Sequence, residues 1–155
     1  MSDVIETPGQ KGFMPAPAKK DRPGFMVLVP GECLRLGGRL WSDAQRASGV
    51  WIKLVYLTAA EEEQALTDAV RSGNAAATGL QQVKRSLAAV ADNLVDEDGR
   101  DTPGDLRGVP HLERDGLWEE LGQKGRAIVL SAYNQGVSPS EEAVQRAAQS
   151  FRFCT

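Results

Sequence analysis

Apolar positions follow two rhythms along this chain: short dense runs from residue 25 to 57, then steps of three and four from residue 58 onward. The first rhythm predicts strands and the second helices. Phe25-Met-Val-Leu-Val29 reads as a strand stopped by the turn dipeptide Pro30-Gly31. Cys33-Leu-Arg-Leu36 and Arg39-Leu-Trp41 flank Gly37-Gly38, which suits a two-residue hairpin. Val50-Trp-Ile-Lys-Leu-Val-Tyr-Leu57 is β-branched and aromatic, with a single charge. Both of its faces are mostly apolar, so it should be central in the sheet or covered on both sides.

Thr58 starts the helical part. Thr58-Ala-Ala-Glu61 is a capping box, and Glu61, Glu62 and Glu63 occupy the first turn, where the helix dipole favours them. That accounts for the Glu triplet without a metal. Leu66, Ala69 and Val70 are the expected buried face, and Gly73-Asn74 the stop. A second helix is expected from about residue 76 to 94, with Leu80, Val83, Leu87, Val90, Ala91 and Leu94 on one stripe and Lys84 and Arg85 in solvent. The end of the Ala- and Val-rich stretch 87–95 also admits a strand entering an Asp98-Gly99 hairpin. Trp118, Leu121, Ile128, Val129, Ala132 and Tyr133 form the apolar face of a further helix closed by Asn134-Gln-Gly136. Gly122 and Gly125 weaken its start, which makes Leu117–Leu121 a separate turn. The last helix is read with Ser138 at N-cap, Pro139 at the first position and Glu141 completing the box. Its stripe is Ala143, Val144, Ala147, Ala148 and Phe151.

These elements predict an α+β fold, with a small N-terminal antiparallel sheet packed on a C-terminal helical region. Residues 1–24, with Pro8, Pro15, Pro17 and Pro23 among glycines and lysines, read as an extended Pro/Gly-rich arm, flexible or partner-bound. Residues 25–155 read as one domain, mainly strands over 25–57 and mainly helices over 58–153, a length able to bury a core. Phe13 and Met14 are apolar side chains inside that arm, and Phe153 lies just beyond the last helix. With Phe151 they are the candidate partner-binding residues. No leader-like apolar core precedes the domain and no run approaches a membrane span, so a soluble protein inside the cell is the expectation.

Charge separates the chain into thirds. Residues 58–121 hold 14 acidic against 6 basic side chains, a local net of −8, while the flanking thirds are slightly positive. With −3 overall, the chain does not look like a general nucleic-acid binder. Residues 96–105 imitate a calcium loop, but with Gly99 in the glycine position the first ligand falls on Leu94 and the last on Asp105. They are read as an acidic turn. His111, the single histidine, sits in a polar loop without a second imidazole. Cys33 and Cys154 lack the spacing of a zinc site, and Cys33 adjoins Glu32 rather than a cation. Phosphate loops, dinucleotide fingerprints and nucleophile elbows are all missing. No cofactor, metal or catalytic residue is assigned, and the reading is non-enzymatic.

The order of elements over residues 50–153 resembles small tail-assembly proteins of double-stranded DNA bacteriophages, the tail assembly chaperones and related baseplate-hub assembly proteins. The matching stretches are Val55-Tyr-Leu-Thr-Ala-Ala-Glu-Glu-Glu63, Ser86-Leu-Ala-Ala-Val-Ala-Asp92 through Asp98-Gly99, and Leu117-Trp-Glu-Glu-Leu-Gly-Gln-Lys-Gly-Arg126. Ala132-Tyr-Asn134, Ser138-Pro-Ser-Glu-Glu142 and Phe151 follow. The resemblance implies a protein that binds tail tube, tape-measure or baseplate-hub subunits in the host cytoplasm and restrains their assembly. The first 45 residues have no family counterpart. An arm of that kind fits a subunit kept in the virion and laced into its neighbours, and the acidic third fits a regulatory module docking on a basic protein.

Overall fold

A curled antiparallel sheet organises the computed structural model, which describes residues 18–35 and 41–150. Its strands are β1 (Gly24–Val29), β2 (Val50–Val55), β3 (Leu87–Val95), β4 (Asp101–Pro103) and β5 (Arg107–Gly108). β1, β2 and β3 lie side by side, and both β4 and β5 pair with the far edge of β3. Six helices accompany them: α1 (Asp43–Ser48), α2 (Ala59–Arg71), α3 (Thr78–Ser86), α4 (Arg114–Glu120), α5 (Gly122–Val137) and α6 (Glu141–Ser150). The fold is α+β, with C-terminal helices packed on the sheet, as the two rhythms imply.

β2 is the central strand expected of a segment apolar on both faces. It pairs with β1 through Val27↔Ile52 and with β3 through Ile52↔Val90. Val29, Val50, Ile52, Leu54 and Val90 meet Val83, Leu117, Trp118, Leu121, Val129 and Tyr133 in one core. Each fully buried Val, Leu or Ile there contributes about 2 kcal/mol by leaving water. α2 begins at the predicted box: Thr58 Oγ1 accepts from the Glu61 N–H at 3.2 Å, and Thr58 N–H donates to Glu61 Oε1 at 2.9 Å.

Several expectations need correction. The helix predicted to reach Leu94 stops at Ser86, and the strand that the second reading placed at the end of 87–95 takes the whole of Leu87–Val95. Leu87 through Ala91 are all buried, which one helix stripe cannot do but a strand covered on both faces can. In the turn that follows, the Asp96 carboxylate accepts from the N–H groups of Asp98 and Arg100, and Gly99 has φ +78°. The hairpin around Gly37-Gly38 fails in its described part. Gly31–Cys33 is a 3-10 turn, Trp41 is not in a strand, and residues 36–40 lie outside the description. α1 follows instead, opened by a complete Ser42/Gln45 capping box.

On α2 the buried residues are Ala65 and Ala69, whereas Leu66 and Val70 are about half exposed. α2 packs against α3, with small side chains on its buried face and the larger ones partly exposed. Lys84 and Arg85 are ion-paired rather than free in solvent, with Asp115 at 2.8 Å and Asp68 at 2.5 Å. Leu117–Leu121 does separate from the helix after it, as the glycines imply. Gly122 takes φ +74° between α4 and α5, and a Cβ there would stand 2.8 Å from the Cys33 carbonyl oxygen. α5 runs on to Val137 rather than closing at Gly136. α6 is capped by Ser140, whose Oγ accepts from the Ala143 N–H at 3.1 Å; Ser138 Oγ donates back to the Asn134 carbonyl.

Candidate protein-binding surfaces

α6 has no buried residue: every side chain from Glu141 to Ser150 is exposed. Yet Ala143, Val144, Ala147 and Ala148 recur at the spacing of one helical face, with Val144 52% exposed. A polar helix of ten residues is marginal alone in water, and an apolar stripe on it is stabilised only when something covers it. Nothing among the described residues does.

A cleft of about 780 Å³ opens between α1, the segment 107–113 and α4. Trp41, Val90, Val109 and Leu117 supply its apolar lining, and Gln45, Arg107, Glu113 and Glu120 its polar groups. Trp41 is fixed by its indole N–H, which donates to the Glu120 carbonyl at 2.7 Å; the Arg35 N–H reaches the same oxygen at 3.1 Å. These two bonds satisfy the last carbonyl of α4. Val109 N–H donates to the Ala88 carbonyl at 2.9 Å, and Asp92 gathers Gln45 at 2.8 Å and Arg107 at 3.2 Å. Both bonds hold the Asp92 carboxyl below its usual range, Gln45 contributing most. Leu112, 92% exposed, stands at the rim. The cleft therefore offers apolar contact inside a hydrogen-bonding border, the pattern of a surface that takes side chains.

A charged cluster on another side fastens residues 18–23 to the helices. Arg22 forks onto Glu61 with bonds of 2.6 and 3.0 Å and also donates to the Tyr56 carbonyl at 2.7 Å. That fork, with the Thr58 N–H, holds the Glu61 carboxyl at about 2 against the opposition of burial. Lys19 Nζ and Arg114 both donate to the Arg85 carbonyl at the end of α3. Burial, then the Arg114 charge, lowers Lys19 to about 8; burial, then Arg85, lowers Arg114. Arg114 also meets Nδ1 of His111, which is exposed.

Of the residues singled out by sequence, Phe13, Met14, Phe151 and Phe153 lie outside the described residues. His111 and Cys33 come from different segments, and Cys33 is a partly buried residue packed against the core. Among the described residues no group of three or more His, Cys, Asp or Glu is placed to hold a metal ion. No described helix is long and apolar enough to cross a membrane. The cleft residues Trp41, Arg107, Leu112 and Glu120 were missed because they arrive from three separate segments. Only the indole of Trp41, a large aromatic beside polar loops, was a signal. Comparison with family models, with curated proteins and with solved structures finds no match to this chain.

Proposed function

We propose that this chain is a non-enzymatic assembly protein of the kind that builds bacteriophage tails or baseplates, binding other structural subunits through apolar surface. The observation that carries the binding role is α6, a helix with a regular apolar stripe and no buried residue. The cleft behind Trp41 and Leu112 supports it as a second apolar acceptor. The phage context rests on the resemblance of residues 50–153, and retention in the virion is the form of the role in which the N-terminal arm laces into neighbours.

Affinity purification of the full chain from its native source, at low and at high salt, with the co-purifying proteins identified, tests this. Recovery of tail-tube, tape-measure or baseplate subunits that persists at high salt is the expected result, because apolar contact is not screened. Recovery only at low salt of a basic partner transfers the role to the acidic third of the chain. Recovery of no structural subunit removes the assembly reading.

A further inference from the structure

The two edges of the sheet are finished differently. β4 and β5, at one edge, are three and two residues long and carry Asp101, Pro103 and Arg107. Short, charged or proline-bearing strands are the usual protection against pairing with another chain. β1, at the other edge, is six residues of Gly-Phe-Met-Val-Leu-Val, without charge, proline or a register shift against β2.

Hydrogen-bond direction shows which β1 groups are open. Tyr56 N–H donates to the Pro23 carbonyl at 3.1 Å, so 23 and 56 are a bonded pair. Stepping by two, Phe25, Val27 and Val29 turn their backbone groups to Leu54, Ile52 and Val50. On the other side of β2, Asn93 N–H donates to the Gly49 carbonyl at 3.3 Å, which turns Trp51 and Lys53 toward β3 and agrees with this phase. Gly24, Met26 and Leu28 therefore direct their N–H and C=O groups away from the sheet. None of these six groups has a hydrogen-bond partner among the described residues.

We propose that the open edge of β1 pairs with β1 of a second copy of this chain, antiparallel about a two-fold axis at Met26. Centring the axis there sets Gly24 opposite Leu28 of the second copy and Met26 opposite Met26. Every outward group of both strands is then used, in about six hydrogen bonds. The strand bears no charge, so self-pairing brings no like charges together. Residues 1–17 are a poorer occupant. Pro8, Pro15 and Pro17 remove donors, and the described chain begins across the sheet, where Lys20 lies 3.8 Å from the Cβ position of Gly108 on β5. The inference is independent of the proposed function.

Sedimentation of the full chain over a concentration series should show twice the 16.7 kDa chain mass, dissociating on dilution. Met26→Pro removes only an outward N–H and puts a ring in the partner's path, so it should give a monomer with an unchanged circular dichroism spectrum. Met26→Glu guards against misfolding of that variant. Its carboxylate lies opposite Lys53 in its own strand pair, and opposite its own copy across the axis. It should also be monomeric, with association partly restored by salt. In the unmodified chain, amide exchange at Met26 and Leu28 should slow as concentration rises. A monomer throughout the series overturns the proposal, as does a dimer unaffected by both substitutions. So does protection of those amides at every concentration in a monomer, which assigns the edge to another segment of the same chain.

Discussion

α5 and α6 are neighbouring helices with similar apolar spacing and opposite fates. α5 buries Gly125, Val129 and Tyr133 against the sheet; α6 buries nothing. The ring of Phe25 lies where a Cβ at Gly136 would stand, so the close seating of α5 on β1 requires a glycine there. An amphipathic pattern states that one face of a helix needs cover, and is silent on whether the cover belongs to the same chain. α5 has found its cover in β1, α3, α4 and the Gly31–Cys33 turn. On the present account the cover of α6 is another subunit.

The largest effect is expected in the core beneath α5. Leu54→Ala should cost about 3 kcal/mol in urea unfolding, since Leu54 is fully buried among well-packed neighbours. A cost below about 1 kcal/mol would mean that the sheet and helices are loosely joined. The next effect is ionic, at the fork between Arg22 and Glu61. Glu61 is lowered from 4.5 to about 2, so its stabilising contribution is present above pH 4.5 and is lost as pH falls toward 2. Glu61→Gln should cost about 2 kcal/mol at pH 7, with allowance for its partly exposed carboxylate, and flatten acid unfolding in that window. Lys19 differs in that its charged form is disfavoured by folding, while its pH slope has the same sign. Its lowered value of about 8 makes stability rise with pH between 8 and 10.5, a slope that Lys19→Met should remove in chemical unfolding followed across that range. Gly122→Ala should cost about 1 kcal/mol, from the positive φ and the Cys33 carbonyl, and loosen α4 against α5.

The parts legible in the sequence were those decided locally. The Thr58 box names its own partner three residues on, and β2 is apolar on both faces wherever it is placed. α1 was legible too, because Ser42 and Gln45 spell a capping box. Leu87–Val95 was ambiguous for a physical reason: Leu87, Val90, Ala91 and Leu94 satisfy a helical period while 87–91 also form a continuous run. Only the pairing of its two edges, with β2 and with β5, decides it. The open edge of β1 was illegible, since edge or centre depends on strand order. The cleft was likewise hidden, because Trp41, Arg107 and Leu117 meet only after the sheet has closed.

The most direct test is a thermal melt of the full chain carrying Val144→Gln and Ala147→Gln together. Glutamine keeps helix propensity and removes the stripe. If α6 has no partner within its own chain, the melting temperature should stay within about 2 °C of the unmodified protein. A fall of about 6 °C or more would show that the stripe is core, and would contradict the account.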